Sequence, residues 1–154
     1  SVKAATTLAG RFASALGEPI AGAPHGLRAL FPSAERVAAV DASAIAGLGV
    51  LEKRARTIVA LAAMFGSGEL TRPALTQEEL CARLVTVPGV GDWTAQYIAM
   101  RAFRFPDAFP AGDLGIKKAL GISSTGECER RSRAWRPWRS YAALHLWRSL
   151  AQGG

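Results

Sequence analysis

Apolar residues recur every three or four positions along most of the chain, and the alternating pattern typical of half-buried strands is missing. Residues with this spacing share one face of a helix, so the pattern predicts an all-α protein. The clearest apolar stripe covers residues 51–65 and ends at Gly66. The same spacing is present from Ser1 onward and stops at Gly17, as in a helix entered midway.

Residues that favour the N-terminus of a helix stand before several of these segments: Ser33, Asp41, Thr76, Asp113 and Ser124. Thr76 and Ser124 are each followed three positions later by Glu, which is the spacing of a capping box. Pro137 suits the first turn of a final helix, and Gly47-Leu-Gly49 predicts a tight turn between two helices. We therefore expect a compact, multi-helix domain with short connections.

Length and cysteine content limit the protein class. A chain of 154 residues suits one domain with its own core. Cys81 and Cys128 are too few for an iron–sulfur cluster and lack C-x-x-C spacing, so they fit a reducing compartment. No apolar stretch approaches the ~20 residues of a membrane-spanning helix, and no secretory signal is recognisable. These features predict a soluble, intracellular, cytoplasmic protein.

Positive charge is concentrated near the C-terminus. Residues 1–100 hold 9 basic and 8 acidic side chains, whereas residues 101–154 hold 10 and 4, so +6 of the net +7 lies in the last third. Such an excess favours a polyanionic partner, but it is also common on a solvated face. Charge alone leaves both interpretations open.

The segment Pro88-Gly-Val-Gly-Asp-Trp-Thr-Ala95 separates two predicted helices. Pro88 lacks an amide hydrogen and ends the first helix, while Gly89 and Gly91 permit positive φ and the approach of another backbone. Backbone amides at Gly89–Gly91 and the next helix N-terminus would favour a phosphate, whatever the DNA sequence. A bare Pro-Gly turn would be an ordinary helix–helix connection, but the fuller pattern favours phosphate binding.

Three segments give the chain a family resemblance: Pro88-Gly-Val-Gly-Asp-Trp-Thr-Ala95, Pro106-Asp-Ala-Phe-Pro-Ala-Gly-Asp-Leu-Gly115 and Trp135-Arg-Pro-Trp-Arg-Ser-Tyr-Ala142. They resemble the helix-hairpin-helix DNA glycosylases, and specifically the 3-methyladenine DNA glycosylase II branch. The likeness covers most of the chain.

The resemblance implies one helical glycosylase domain over residues 1–154. Its helix-hairpin-helix would span about 76–102, and a catalytic loop and helix about 105–121. In the family, a mixed α/β domain precedes this region, and the side chain that fills the gap left by the flipped base lies just before the position aligned with Ser1. We therefore expect the chain to be truncated at its N-terminus and to lack that upstream domain.

The resemblance assigns Asp113 as the catalytic carboxylate, 25 positions after Pro88. Breaking an N-glycosidic bond builds positive charge on the sugar, and an ionised carboxylate can stabilise that charge or orient water. No second acid is needed if the leaving base is already cationic, as it is after alkylation at purine N3 or N7. The alternative is that Asp113 only caps a helix, although the two roles are compatible.

The resemblance also places Trp93, Tyr97 and Trp147 around the base pocket, where aromatic faces would stack on an extruded, cationic base. By position alone, Trp93 and Tyr97 would be core packing, and we expect Trp135 and Trp138 to be core residues. Family members that also nick the strand carry Lys where Trp93 stands, because an amine must form the Schiff base. A monofunctional enzyme is therefore implied.

The DNA phosphate is expected to contact the hairpin at five residues: Pro88, Gly89, Val90, Gly91 and Thr94. In the family the hairpin often holds a monovalent cation, Na⁺ or K⁺, through three main-chain carbonyls, which map onto Val85, Val87 and Val90. Oxygen ligands suit such a hard ion, and the sequence neither requires nor excludes it. No cofactor is required for the chemistry.

The resulting hypothesis is a monomeric DNA glycosylase that removes alkylated purines from double-stranded DNA. Its chief rival is a non-catalytic helix-hairpin-helix module that binds double-stranded DNA with the same backbone contacts. A third interpretation is a helical scaffold whose basic tail serves only solvation. Asp113 and the aromatic pocket separate the first two, and salt-dependent affinity for duplex DNA separates both from the third.

Overall fold

Helices are the only regular elements in the residues that the computed structural model describes, namely 2–22, 27–72 and 74–152, apart from one isolated antiparallel bridge between Pro19 and Ala29. The all-α prediction is confirmed, while Ser1 lies outside the described residues. The helices are α1 (Val2–Leu16), α2 (Ala34–Ala38), α3 (Ala42–Ala46), α4 (Glu52–Gly66), α5 (Gln77–Leu84), α6 (Asp92–Arg101), α7 (Leu114–Leu120), α8 (Thr125–Ser132) and α9 (Arg139–Gln152).

The chain divides into two units, residues 1–73 and 74–154. In the first unit, α2 and α3 pack against α4. The apolar side chains at the centre of this unit are Phe12, Val37, Ile45, Ala55 and Ala62. Helix α1 ends at Leu16, just before Gly17, as predicted. A Cβ at position 17 would lie 2.1 Å from the Leu30 carbonyl oxygen, so no residue other than glycine fits there.

The second unit contains α5 to α9. Helices α5 and α6 pack together as the two arms of the hairpin, and α7 packs on α9. A short 3-10 turn at Arg133–Trp135 connects α8 to α9. The buried apolar side chains on these helices are Leu80, Leu84, Ala95, Ala99, Met100, Ile116, Cys128 and Ala143. In the second unit, the hairpin and the segment around Asp113 therefore share one apolar core.

The predicted capping residues are confirmed, since a side-chain oxygen at each position accepts a backbone N–H of the following helix: Ser33, Asp41, Thr76, Asp113 and Ser124. The capping box at Thr76 is complete in both directions. The placement of Pro137 in the first turn of the last helix is wrong, because α9 begins at Arg139. The Trp138 N–H bonds the Trp135 carbonyl at 2.8 Å, which continues the preceding turn through Pro137.

The prediction that Trp138 belongs to the core is also wrong. Its side chain is 58% exposed and contacts the ring of Tyr141 edge-on at 5.8 Å. Trp135 is half-buried and packs its ring against Phe109 at 5.9 Å.

Cys81 and Cys128 are free thiols. Along the described part of the chain, no helix combines the length and hydropathy that crossing a bilayer would require.

Replacing Thr76 with Ala should lower the free energy of unfolding by about 1 kcal/mol, because the Glu79 N–H loses its acceptor and the capping box is broken. The measurement is urea unfolding followed by helical circular dichroism. Ser149→Ala is the matched control, since Ser149 bonds a carbonyl within a helix and caps nothing. Equal stability of the two variants would contradict the prediction.

Candidate active site

The hairpin is anchored by two buried side chains and exposes its backbone between them. Val87 and Val90 are buried, whereas Gly89 is exposed at the tip. Gly89 adopts the positive φ that glycine permits, at 92°. Gly91 does not, since its φ and ψ of −98° and 177° are ordinary extended backbone, but there is open space where a Cβ would lie. Intramolecular packing therefore does not account for the glycine at position 91.

Helix α6 begins directly after this tip. Gly91 is its N-cap and provides no side-chain hydrogen bond, unlike Thr76 at the start of α5. The first N–H groups of a helix have no intrahelical acceptor, so those of α6 can bond an external group. Thr94 lies half-buried in this first turn.

The loop between α6 and Asp113 is held by the start of α9. Arg139 is 8% exposed and forms two hydrogen bonds with the Asp107 carboxylate, both 2.7 Å long. The Ser140 hydroxyl donates toward the carbonyls of Phe105 and Ala108, at 2.7 and 2.8 Å. Sequence reasoning gave neither residue a role, although both lie in the Trp135–Ala142 segment.

Asp113 lies at the junction of three helices in the second unit. Its Oδ1 accepts the Ile116 backbone N–H and the Trp147 indole N–H, each at 2.8 Å. Its Oδ2 accepts the Trp93 indole N–H, also at 2.8 Å. The carboxylate is thus a helix cap and, at the same time, the common acceptor for two tryptophans from α6 and α9.

These hydrogen bonds favour the ionised form of Asp113. Burial is the largest single influence and raises the pKa, but the bonds from Trp147, the Ile116 N–H and Trp93 together outweigh it and leave the pKa below its ordinary value of 3.8. Because the folded-state pKa is lowered, the stability that Asp113 contributes is complete above 3.8 and is lost as the pH falls through the folded pKa. The carboxylate is therefore ionised at neutral pH.

The aromatic side chains predicted for the pocket form one cluster beside this carboxylate. Trp93 and Tyr97 are stacked, with ring centroids 5.2 Å apart and planes 14° apart. Tyr97 lies 6.0 Å from Trp147 at an angle of 50°. Trp93 and Tyr97 remain 42% and 37% exposed, so ring surface is open to a ligand. The structure brings all three predicted aromatic residues together, and two of them, Trp93 and Trp147, bond Asp113.

The second unit thus holds a hairpin with an open helix N-terminus, followed by a carboxylate among aromatic rings. Residues 1–136 match the family model described as "HhH-GPD superfamily base excision DNA repair protein". The chain belongs to this helix-hairpin-helix family.

Two curated relatives are similar to nearly the whole of this chain. The chain is 43% identical to the probable bifunctional transcriptional activator/DNA repair enzyme AlkA of Mycobacterium tuberculosis, over 97% of this chain and 31% of that protein. It is 37% identical to DNA-3-methyladenine glycosylase 2 of Escherichia coli, over 96% of this chain and 52% of that protein. The chain thus spans from about a third to about half of the length of these relatives.

A solved structure has the same fold. The Schizosaccharomyces pombe 3-methyladenine DNA glycosylase in complex with abasic DNA superimposes with a TM-score of 0.74 and 25% sequence identity. The match covers 94% of this chain and 71% of that one.

Replacing Trp147 with Phe should raise the pKa of Asp113, because the ionised carboxylate loses one of its N–H donors. The measurement is a carbon-13 NMR titration of the Asp113 carboxyl carbon. Trp138→Phe is the matched control, because Trp138 is exposed and its ring contact is with Tyr141. A carboxyl that titrates identically in both variants would show that the Trp147 bond does not form in solution.

Proposed function

We propose that this chain carries the active site of a monofunctional DNA glycosylase that hydrolyses the N-glycosidic bond of alkylated purines in double-stranded DNA. Purines of the 3-methyladenine type are proposed substrates, as the names of the relatives suggest. Purines of the 7-methylguanine type are proposed with them, because alkylation at N7 also makes the base cationic. The observation that carries the proposal is the Asp113 carboxylate, which is held ionised by two indole N–H donors beside exposed aromatic rings.

The chemistry follows from the charge on each partner. When the C1′–N bond breaks, its electron pair leaves with the base and the sugar becomes positively charged. The Asp113 carboxylate stabilises that charge electrostatically. Water then adds to C1′, and its proton passes to Asp113 or to solvent, which leaves an abasic site. A purine alkylated at N3 or N7 departs as a neutral base, so the site needs no second acid.

The aromatic cluster supports selectivity for such bases. The exposed rings of Trp93 and Tyr97, with the half-buried ring of Trp147 beside them, present π-faces that stack on an everted base and attract a positively charged one. Because Tyr97 covers one face of Trp93, the base would use the ring surface that this stack leaves open. An unmodified, neutral purine gains less from these faces and is a poorer leaving group.

The hairpin is the proposed contact with the DNA backbone. The tip residues Pro88, Gly89, Val90 and Gly91 would bring main-chain amides to a phosphate, together with Thr94 and the open N-terminus of α6. Such contacts do not discriminate between sequences, as a repair enzyme that scans duplex DNA requires. The fungal neighbour is in complex with abasic DNA, which is what base release leaves.

A monovalent cation at the hairpin fits this arrangement. The carbonyls of Val85, Val87 and Val90 would hold Na⁺ or K⁺, and the ion would add positive charge near the bound phosphate. The Val87 carbonyl already accepts the Val90 N–H at 3.0 Å, but its second lone pair remains for an ion. The proposed chemistry at Asp113 does not pass through this ion.

The alternative is a DNA-binding module without catalysis, which would use the same hairpin. It gives no reason for two tryptophans to direct their N–H groups at one carboxylate. We further propose that one copy of the chain acts on one lesion and that it works inside the cell, where its DNA substrate lies.

Replacing Asp113 with Asn should lower the rate of base release by about 100-fold or more, because the negative charge that faces the sugar is lost. Asn can still cap α7, and the affinity for duplex DNA should stay within about threefold. The assay measures abasic sites formed in alkylated duplex DNA. Asp41→Asn is the matched control, because Asp41 also caps a helix but lies away from the aromatic cluster in sequence. A fully active Asp113→Asn protein would refute the proposed role.

The wild-type protein should form no covalent adduct with DNA when borohydride is added during the reaction. A trapped adduct requires an amine that attacks C1′, and Trp93 stands where strand-nicking relatives carry Lys. Gel electrophoresis should show an intact strand that breaks only after treatment with hot alkali. A borohydride-trapped complex would show that the enzyme is bifunctional.

A further inference from the structure

We propose that Gly115 is a positioning residue, whose missing side chain lets the indole of Trp147 reach the Asp113 carboxylate. The inference rests on the proposed function, in which this carboxylate faces the reacting sugar. It concerns a position that the resemblance leaves without a role.

A Cβ at position 115 would touch both ends of one hydrogen bond. It would lie 3.1 Å from Asp113 Oδ1 and 3.3 Å from Trp147 Cδ1, the ring atom next to the donating Nε1. It would also lie 3.5 Å from Leu150 Cδ1. The first two contacts are tighter than ordinary van der Waals distances, so the carboxylate and the indole would each have to give by a few tenths of an ångström.

Asp113 is the less able of the two to move. Its Oδ1 also accepts the Ile116 N–H at 2.8 Å, and that bond caps α7. The Trp147 ring is therefore the partner that yields further, and its 2.8 Å bond to Oδ1 would lengthen toward the limit of useful hydrogen bonds.

The backbone gives no reason for glycine at this position. Gly115 is the second residue of α7, and its φ is not in the left-handed region. Alanine favours a helix over glycine, so local propensity alone would select alanine here. The steric contact with Asp113 and Trp147 explains why glycine stands here despite the higher helix propensity of alanine.

Gly126 offers a closely matched control. It is the second residue of α8, and the side chain of Ser124 caps that helix just as Asp113 caps α7. A Cβ there would meet only Ser124 Oγ at 3.9 Å, an ordinary contact. The variants Gly115→Ala and Gly126→Ala therefore make the same backbone change, and only the first presses on the carboxylate.

The first readout does not depend on DNA. The proton NMR signal of the Trp147 indole N–H, assigned by its loss in Trp147→Phe, should move upfield in Gly115→Ala as the bond to the carboxylate weakens. It should stay in place in Gly126→Ala. An unmoved signal in Gly115→Ala would overturn the proposal whether or not the chain releases bases.

The second readout links the geometry to catalysis. Gly115→Ala should slow release of alkylated bases by about tenfold. It should also move the acidic limb of the pH–rate profile to higher pH. Gly126→Ala should match the wild type in both measurements. In a Trp147→Phe background the bond is already absent and the ring is smaller, so adding Gly115→Ala should cost less than about twofold. A full tenfold further loss in that background would refute the proposal.

If Gly115→Ala alone fails to fold, recovery of folding in the double variant supports the steric cause. Failure of both variants to fold overturns it.

Discussion

The site depends on the convergence of N–H donors on one carboxylate. Asp113 receives them from the backbone of α7, from Trp93 on α6 and from Trp147 on α9. Each donor stabilises the ionised form, and together they outweigh the partial burial that opposes it. A carboxylate satisfied in this way is fixed in position before any substrate arrives, which is the preorganisation that electrostatic catalysis requires.

The surrounding architecture brings those donors to one point. The hairpin sets the start of α6, so Trp93 lies in its first full turn. The start of α9 clamps the preceding loop through Arg139 and Ser140, and Trp147 follows two helical turns later on the same helix. One helix therefore fixes both the loop that leads to Asp113 and a donor that holds it.

Features governed by local rules could be predicted from the sequence. The capping residues, the helix ends at Gly17 and Gly66 and the left-handed Gly89 follow from the residue types within a few positions. The aromatic cluster came from the family resemblance, since a spacing of four residues cannot distinguish a pocket from a core. The helix start after Pro137 and the exposure of Trp138 depend on a turn that continues from the 3-10 segment. The residues near Pro137 show no pattern that predicts this turn. The Arg139–Asp107 pair and the contacts at Gly115 join residues brought together only by folding.

The central claim is that the Asp113 carboxylate stabilises positive charge on the sugar. The most direct measurement compares the affinities for two duplexes, one with a cationic pyrrolidine ring in place of a deoxyribose and one with an uncharged ring of the same size. The wild-type protein should bind the cationic ring at least about tenfold more tightly, since it resembles the charged transition state, and Asp113→Asn should lose this preference. Equal affinity of the wild-type protein for both duplexes, or an undiminished preference in Asp113→Asn, would contradict the account.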